Sequence, residues 1–358
     1  MTQSAKQHGG NIIAVASELG CPVNELLDMS SNLMPLPMVT GLRETIMARL
    51  DEIAYLPETE SETLRDLFAA RHHRSGKEVL VGNGTTDFIF AAPAMNGLTK
   101  AVIVTPTYND YRLACDWAGL PVEDFPLSAS DDFHLDLARL TKSLSGNELV
   151  FICNPNNPSG GLIDSTELHA HIKACPQSLF LVDESYLQFT REPSLLDLEP
   201  LTNLLILTSF SKIYGIPGLR LGFLTGAPER LAAISARNKP WGVNRIAQMA
   251  GEYLVAHGDD HVEAVLKFTE EHRPGFVANL AALPGVEVVN GVCNFILCRL
   301  KGSIRAGELR QKMLTHRIII RDCANFTGLD DSYFRISLKD PNGNKQCLDA
   351  LKEILIEK

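Results

Sequence analysis

Between residues 79 and 225 the chain alternates short apolar runs with segments of helical length. The runs are Val79–Val81, Ala101–Thr105, Leu149–Cys153, Leu179–Asp183, Leu204–Thr208 and Leu221–Thr225. Each is nearly all apolar, and most end in a polar or turn-forming residue. Strands buried on both faces read this way, and helical crossovers between them imply a largely parallel sheet. Asn109–Trp117 and Ser165–Ala174 have the length of helices, and Asp164-Ser165-Thr166-Glu167 resembles a helix start. The fold class is therefore α/β, with a mostly parallel sheet between helices. Ligands of such sheets collect beyond the C-terminal ends of the strands. The residues there are Gly84-Thr85-Thr86, Tyr108, Asn154 to Gly160, Asp183 to Tyr186 and Ser209 to Lys212, which makes one site the economical reading.

After about Pro240 the pattern changes. Ile246–Leu283 is helical in period, with Pro274 as the expected kink or break. Strand-like runs follow at Val286–Val289, Phe295–Leu300, Ile318–Ile320 and Tyr333–Leu338, with helical segments at Arg305–His316 and Asn344–Glu357. That mixture predicts a smaller α+β domain. The first thirty residues, with HGGN and a short helix at Ile12–Leu19, read as an arm that docks elsewhere. The expected division is an arm over 1–30, a large domain over 31–240 and a small domain over 241–358.

Composition narrows the function classes. The formal net charge of −10, with no basic stripe, argues against nucleic acid, and an anionic ligand would need a local positive pocket. The N-terminal MTQSAKQHGGN lacks the apolar core of a signal peptide, and no apolar run approaches membrane-spanning length. Eight scattered cysteines without a CxxC pair predict reduced thiols in a cytoplasmic protein. They imply no zinc site, and His169 and His171, two apart, add no metal site.

The chemistry concentrates in Ser209-Phe210-Ser211-Lys212, with Arg220 eight residues beyond the lysine. A lysine just past an apolar strand can form a Schiff base with an aldehyde, while two hydroxyls and a guanidinium fork hold that aldehyde's phosphate. Pyridoxal 5'-phosphate (PLP) carries both groups. Gly82-Asn83-Gly84-Thr85-Thr86-Asp87 follows a strand and opens a helix, a place where backbone amides and hydroxyls cradle phosphate; an ordinary loop and cap fits it equally. Asp183 ends the strand LFLVD, where a carboxylate can pair with a pyridinium nitrogen or simply cap the next turn. In Asn154-Pro155-Asn156-Asn157-Pro158-Ser159-Gly160, turn chemistry explains the prolines, the glycine and one asparagine. The adjacent asparagines suggest a fixed amide aimed at the rim. Tyr108 and Tyr186 could stack on a ring and bond its phenolic oxygen, or be core aromatics.

NPNNP, VDESY and SFSKIYGIPGLR, in that order behind the glycine-rich cap, resemble the fold-type I PLP enzymes, aminotransferase class I/II, over essentially the whole chain. Within that superfamily the chain is similar to the branch holding histidinol-phosphate aminotransferases and threonine-phosphate decarboxylases. HGGNIIAVASELG, KPWGVNRIAQMAGE and RIIIRDCANFTGLDDSYFRISLK favour the decarboxylases. The resemblance implies Lys212 as the Schiff-base lysine and Asp183 as the pyridinium partner. It places Asn157 and Tyr186 on the phenolic oxygen and Tyr108 on the ring. Gly84, Thr85, Thr86, Ser209, Ser211 and Arg220 hold the phosphate, with Tyr55 arriving from the other subunit of a homodimer. For substrate it implies His8, Asn32, Arg321 and Arg335. The implied reaction is decarboxylation of L-threonine O-3-phosphate to aminopropanol phosphate for a cobamide. Alternatives are L-serine O-phosphate as substrate, or a histidinol-phosphate aminotransferase. SSNLMPLP departs from the decarboxylase pattern at Met34 and Pro37, and Tyr108 and Tyr186 are closer to the aminotransferases.

Overall fold

The computed structural model describes residues 9–237 and 239–356. Among the described residues thirteen strands form three sheets. The large sheet holds β2 (Val79–Asn83), β3 (Lys100–Thr105), β4 (Val122–Pro126), β5 (Glu148–Cys153), β6 (Leu179–Asp183), β7 (Leu204–Ser209) and β8 (Leu221–Gly226). Their order is β2-β8-β7-β6-β5-β3-β4. Neighbours from β7 through β4 run parallel, while β8 is antiparallel to both β7 and β2. The reversal matters for the site. Arg220, just before β8, reaches the same rim as the C-terminal ends of the other strands.

Strands β5, β6 and β7 are buried along their whole length, as continuous apolar runs require when helices cover both faces. Edge strand β4, VEDFP, has no apolar run and buries only Phe125, so its pattern gave no sign of a strand. The helix Ser165–Lys173 begins where expected, with Asp164 Oδ1 accepting the Glu167 N–H at 2.8 Å.

The small sheet holds β9 (Val286–Val288), β10 (Phe295–Leu300), β12 (Arg321–Asp322) and β13 (Tyr333–Ser337), in the order β12-β13-β10-β9, all antiparallel. The arm joins this side. β1 (Leu27–Asp28) pairs in parallel with β11 (Ile318–Ile319), and Val15, Ala16 and Leu26 pack on Leu314 and Ile319.

Two details differ from expectation. The long helical stretch divides at Gly258, into Arg245–His257 and Asp259–Ala281, and Pro274 lies inside the second helix. Asp259 and Asp260 then occupy the first turn, where a helix N-terminus favours negative charge. Texture changes at residue 240, but packing changes later. Ala247, Ala250 and Leu254 belong to the core beneath the large sheet, with Leu64 and Leu221. The small domain's own core gathers Phe276, Ile296, Leu309, Phe334 and Leu351.

Candidate active site

A cavity of about 200 Å³ opens at the rim of the large sheet, where the arm and the small sheet meet it. It is lined by Gly84, Thr85 and Thr86 after β2, Tyr108 after β3, Asn157 after β5, and Asp183 and Tyr186 at and after β6. Ser209 at the end of β7 and Ser211 and Lys212 after it line the cavity, with Arg220 before β8, and Asn32, Arg321 and Arg335 from the arm side and the small domain. Fourteen residues singled out from the sequence thus come together. His8 lies outside the described residues, although its neighbour Gly9 lines the cavity. Tyr55 does not reach the cavity of its own chain and is 72% exposed.

One end of the cavity is built for an anion. The chain turns through Gly84 at φ 78°, and a Cβ there would stand 2.6 Å from Arg220 Nη2, so only glycine lets the loop lie against the guanidinium. Arg220 itself sits at φ 60°, its Nη1 donating to Pro217 O at 3.3 Å. Ser211 Oγ is buried and has no hydrogen-bond partner. A buried hydroxyl without a partner beside a guanidinium and a glycine loop fits a phosphate that accepts from all three.

Lys212 Nζ donates to the backbone oxygen of Ser31 at 3.2 Å. Burial first, then the positive charges of Arg335 and Arg220, push its amine down from 10.5 to about 8. Asp183 is buried, and desolvation raises its carboxyl; the Ser185 N–H at 2.9 Å and the Tyr111 hydroxyl at 2.7 Å oppose that shift. A cation placed against this carboxylate would lower it further. The lysine, carboxylate and phosphate seat together fit PLP.

The other end carries two more guanidiniums. Arg335 is 5% exposed; its Nη1 donates to Asn157 Oδ1, its Nη2 to Ser30 O at 3.0 Å, and its Nε is buried without a partner. Arg321 donates to Asp322 O at 2.8 Å and Asn325 Oδ1 at 2.7 Å and lies over the Phe326 ring. Desolvation lowers it to about 10. Asn32, at φ 55°, donates from Nδ2 to Tyr186 Oη at 3.0 Å and takes Ser337 Oγ on its backbone N–H at 2.9 Å.

Three asparagines of the NPNNP turn separate in role. Asn154 closes its own loop with Ile163, Asn156 ties to Pro106, Thr107 and Ser159, and only Asn157 lines the cavity. Met34 is buried in the large core and is absent from the cavity lining, so its departure from the decarboxylase pattern acts away from the cavity wall. Sequence reasoning missed Ser30, Ser31, Tyr111, Cys153 and Phe326. Tyr111 and Phe326 read as core aromatics, and the serines contribute partly through backbone oxygens, which no side-chain pattern reveals.

The sequence profile of the aminotransferase class I and II family matches residues 23–351. Threonine-phosphate decarboxylase of Salmonella typhimurium is 32% identical over 97% of this chain and 96% of that relative. The adenosylcobalamin biosynthesis bifunctional protein CobDQ of Leptospira interrogans is 28% identical over 97% of this chain, which spans only 41% of that protein's length. Among solved structures, the L-threonine-O-3-phosphate decarboxylase from Porphyromonas gingivalis matches with a TM-score of 0.83 and 29% identity, over 91% of this chain and 98% of that one. The histidinol-phosphate aminotransferase from Clostridium acetobutylicum gives 0.86 and 28%, over 92% and 99%.

Proposed function

The chain belongs to the aminotransferase class I and II family and is PLP-dependent, and we propose that it decarboxylates an O-phosphorylated amino acid, L-threonine O-3-phosphate first. The observation that carries this reading is where the HGGN arm ends. Gly9 lines the cavity at its Arg321 end, and a Cβ on it would lie 2.5 Å from Ser30 O and 3.4 Å from Arg321 Cδ. That arm is the segment by which the sequence most resembles the decarboxylases.

PLP, when bound, supplies an electron-withdrawing ring that takes up the electron pair left at Cα. The chain's own residues do the rest. Lys212, with its amine held near 8, keeps a larger neutral and nucleophilic share than an exposed lysine. Asp183 would face the ring nitrogen and keep its proton in place. Asn157 and Tyr186 would hold the phenolic oxygen, Tyr108 would cover the ring, and Gly84, Thr85, Thr86, Ser209, Ser211 and Arg220 would seat the phosphate. Arg321, Arg335 and Asn32, with His8 from the arm, clamp the substrate's two anionic ends. Such a clamp would decide the reaction, because it fixes which bond at Cα is held ready to break. With phosphate on one guanidinium and carboxylate on the other, Arg321 and Arg335 would orient the Cα–carboxylate bond for cleavage.

Each charge-assisted contact is worth roughly 1.5–3 kcal/mol. A phosphate-free analogue leaves such donors unpaired and should be rejected by about 10⁴ or more. Phe326, the sole purely hydrocarbon side chain among the described lining residues, offers a wall for the threonine methyl. One methyl discriminates by only about 10–200-fold, so serine phosphate is a slower second substrate.

The proposal includes a cytoplasmic homodimer in which Tyr55 enters the partner's site. In support, Ile53, Tyr55 and Leu56 are all well exposed on one short segment. A second reading, histidinol-phosphate aminotransferase, is favoured by the equally good structural match to that enzyme and by the two tyrosines. One assay separates the two. Threonine phosphate alone should release carbon dioxide, whereas rapid glutamate formation from histidinol phosphate and 2-oxoglutarate, with no carbon dioxide from threonine phosphate, would assign the chain to the aminotransferases.

A further inference from the structure

We propose that Tyr111 is a positioning residue for the cofactor's ring nitrogen, acting through Asp183. The inference rests on the reading that Asp183 faces that nitrogen, and its test separates the two. Tyr111 sits in the first turn of the helix Asp110–Ala118, fully buried, stacked on Phe151 of β5 at 4.9 Å and edge-on to Tyr108 at 5.6 Å. Its hydroxyl donates to Asp183 Oδ2 at 2.7 Å, while the Ser185 N–H donates to Oδ1 at 2.9 Å. The carboxylate is therefore held by one donor on each oxygen, one of them on a stacked ring with little freedom. Its remaining acceptor capacity is directed by these two bonds, not by its own rotamer alone.

Burial favours the neutral acid at position 183, and a neutral acid cannot hold a protonated ring nitrogen. The Tyr111 hydroxyl, a donor that cannot accept a proton from the carboxyl at ordinary pH, favours the ionised form. Its own pKa is held far above 10 by burial and by the Asp183 charge. The other titratable groups facing Asp183 are the Tyr108 and Tyr186 phenols and the Cys153 thiol, all raised by burial, and Glu184, raised by burial to about 7. Of these only Glu184 titrates near neutrality. Its carboxyl accepts from Ser194 Oγ and the Leu195 N–H, one donor on each oxygen. Lys212, lowered to about 8 in the same cavity, titrates in this range too, but equally in wild type and Tyr111→Phe.

The sign follows from linkage. PLP with a protonated nitrogen binds the ionised carboxylate, so affinity falls as pH drops through the Asp183 pKa of the empty site. Without the Tyr111 hydroxyl that pKa rises, and the acid limb of PLP affinity moves to higher pH.

The experiment measures PLP dissociation constants for the full chain from pH 5 to 9, by fluorescence quenching, in wild type, Tyr111→Phe, Asp183→Ala and the double variant. Tyr111→Phe keeps the stacked ring. We expect weaker binding of PLP on the acid limb, by up to about tenfold, a limb shifted to higher pH, and little change for 1-deaza-PLP, which has no ring nitrogen. In the Asp183→Ala background Tyr111→Phe should change nothing further. An unshifted limb in Tyr111→Phe overturns the proposal, as does an equal loss for 1-deaza-PLP or in the Asp183→Ala background. An Asp183→Ala protein that binds PLP and 1-deaza-PLP in the wild-type ratio overturns instead the reading of Asp183. Should Tyr111→Phe fail to fold, 3-fluorotyrosine at position 111 keeps ring and hydroxyl and makes a stronger donor. The limb must then move to lower pH, and an unmoved limb rejects the proposal.

Discussion

Lys212 is held at a cost that can be measured without substrate. In the unfolded chain its amine has the ordinary value of 10.5, whereas burial and the neighbouring Arg335 and Arg220 bring it to about 8 in the fold. At about 1.36 kcal/mol for each tenfold change in proton affinity, keeping this amine charged costs the apoenzyme roughly 3 kcal/mol at neutral pH. The folded pKa is the lower one, so the unfolded chain binds the extra proton. The deficit is fully present below pH 8, shrinks as pH rises from about 8 towards 10.5, and vanishes above. Lys212→Met keeps the stem and removes the charge. It also frees the Ser31 carbonyl, which now accepts from Nζ at 3.2 Å, a loss of about 1 kcal/mol that water in the open cavity reduces. We therefore expect apo Lys212→Met to be about 2–3 kcal/mol more stable than the wild type at pH 7. For 358 residues the entropy of unfolding is on the order of 0.75 kcal/mol/K, so Tm should rise by about 3–4 °C. Calorimetry of both PLP-free proteins at pH 7 and at pH 10 tests this. A variant no more stable than wild type at pH 7, or a Tm difference that does not shrink towards pH 10, would refute the reasoning.

Four further outcomes follow from the same geometry. Borohydride reduction of the yellow holoenzyme should fix the label on Lys212; a label on Lys239 instead would remove the assignment. Arg335→Met should lower kcat/KM for the phosphorylated substrate by about 10²–10⁴, the loss of two charge-assisted bonds, while PLP affinity changes far less. Gly84→Ala, which forces a methyl to 2.6 Å from Arg220 Nη2 at φ 78°, should weaken PLP and cost about 1–2 kcal/mol of stability; an unchanged PLP dissociation constant counts against the phosphate seat. Mixing inactive Tyr55→Ala with inactive Lys212→Ala should restore part of the activity in hybrid dimers, and an active monomer by sedimentation would end the proposal for Tyr55.

The alternation of buried strands with helical segments determined, from sequence alone, an α/β sheet with its ligand rim, because strands covered on both faces have no polar choice along their length. Lys212, Asp183 and Gly84 were equally legible, since each sits at a strand end where turn chemistry and reactive chemistry coincide. Other features were decided only by packing. β4 is an edge strand and needs little apolar surface, so it left no run to find. The three asparagines after β5 are alike as letters, and only the path of the loop turns Asn157 to the cavity while Asn154 and Asn156 close hydrogen bonds behind it. Met34 stands among residues close to substrate in the sequence pattern, yet its side chain goes into the core. Tyr111 is an aromatic at a helix start, and its role depends on an oxygen 72 residues away. Those distinctions rest on the direction of single side chains and on contacts between distant segments, quantities that periodicity and local turn propensity do not encode.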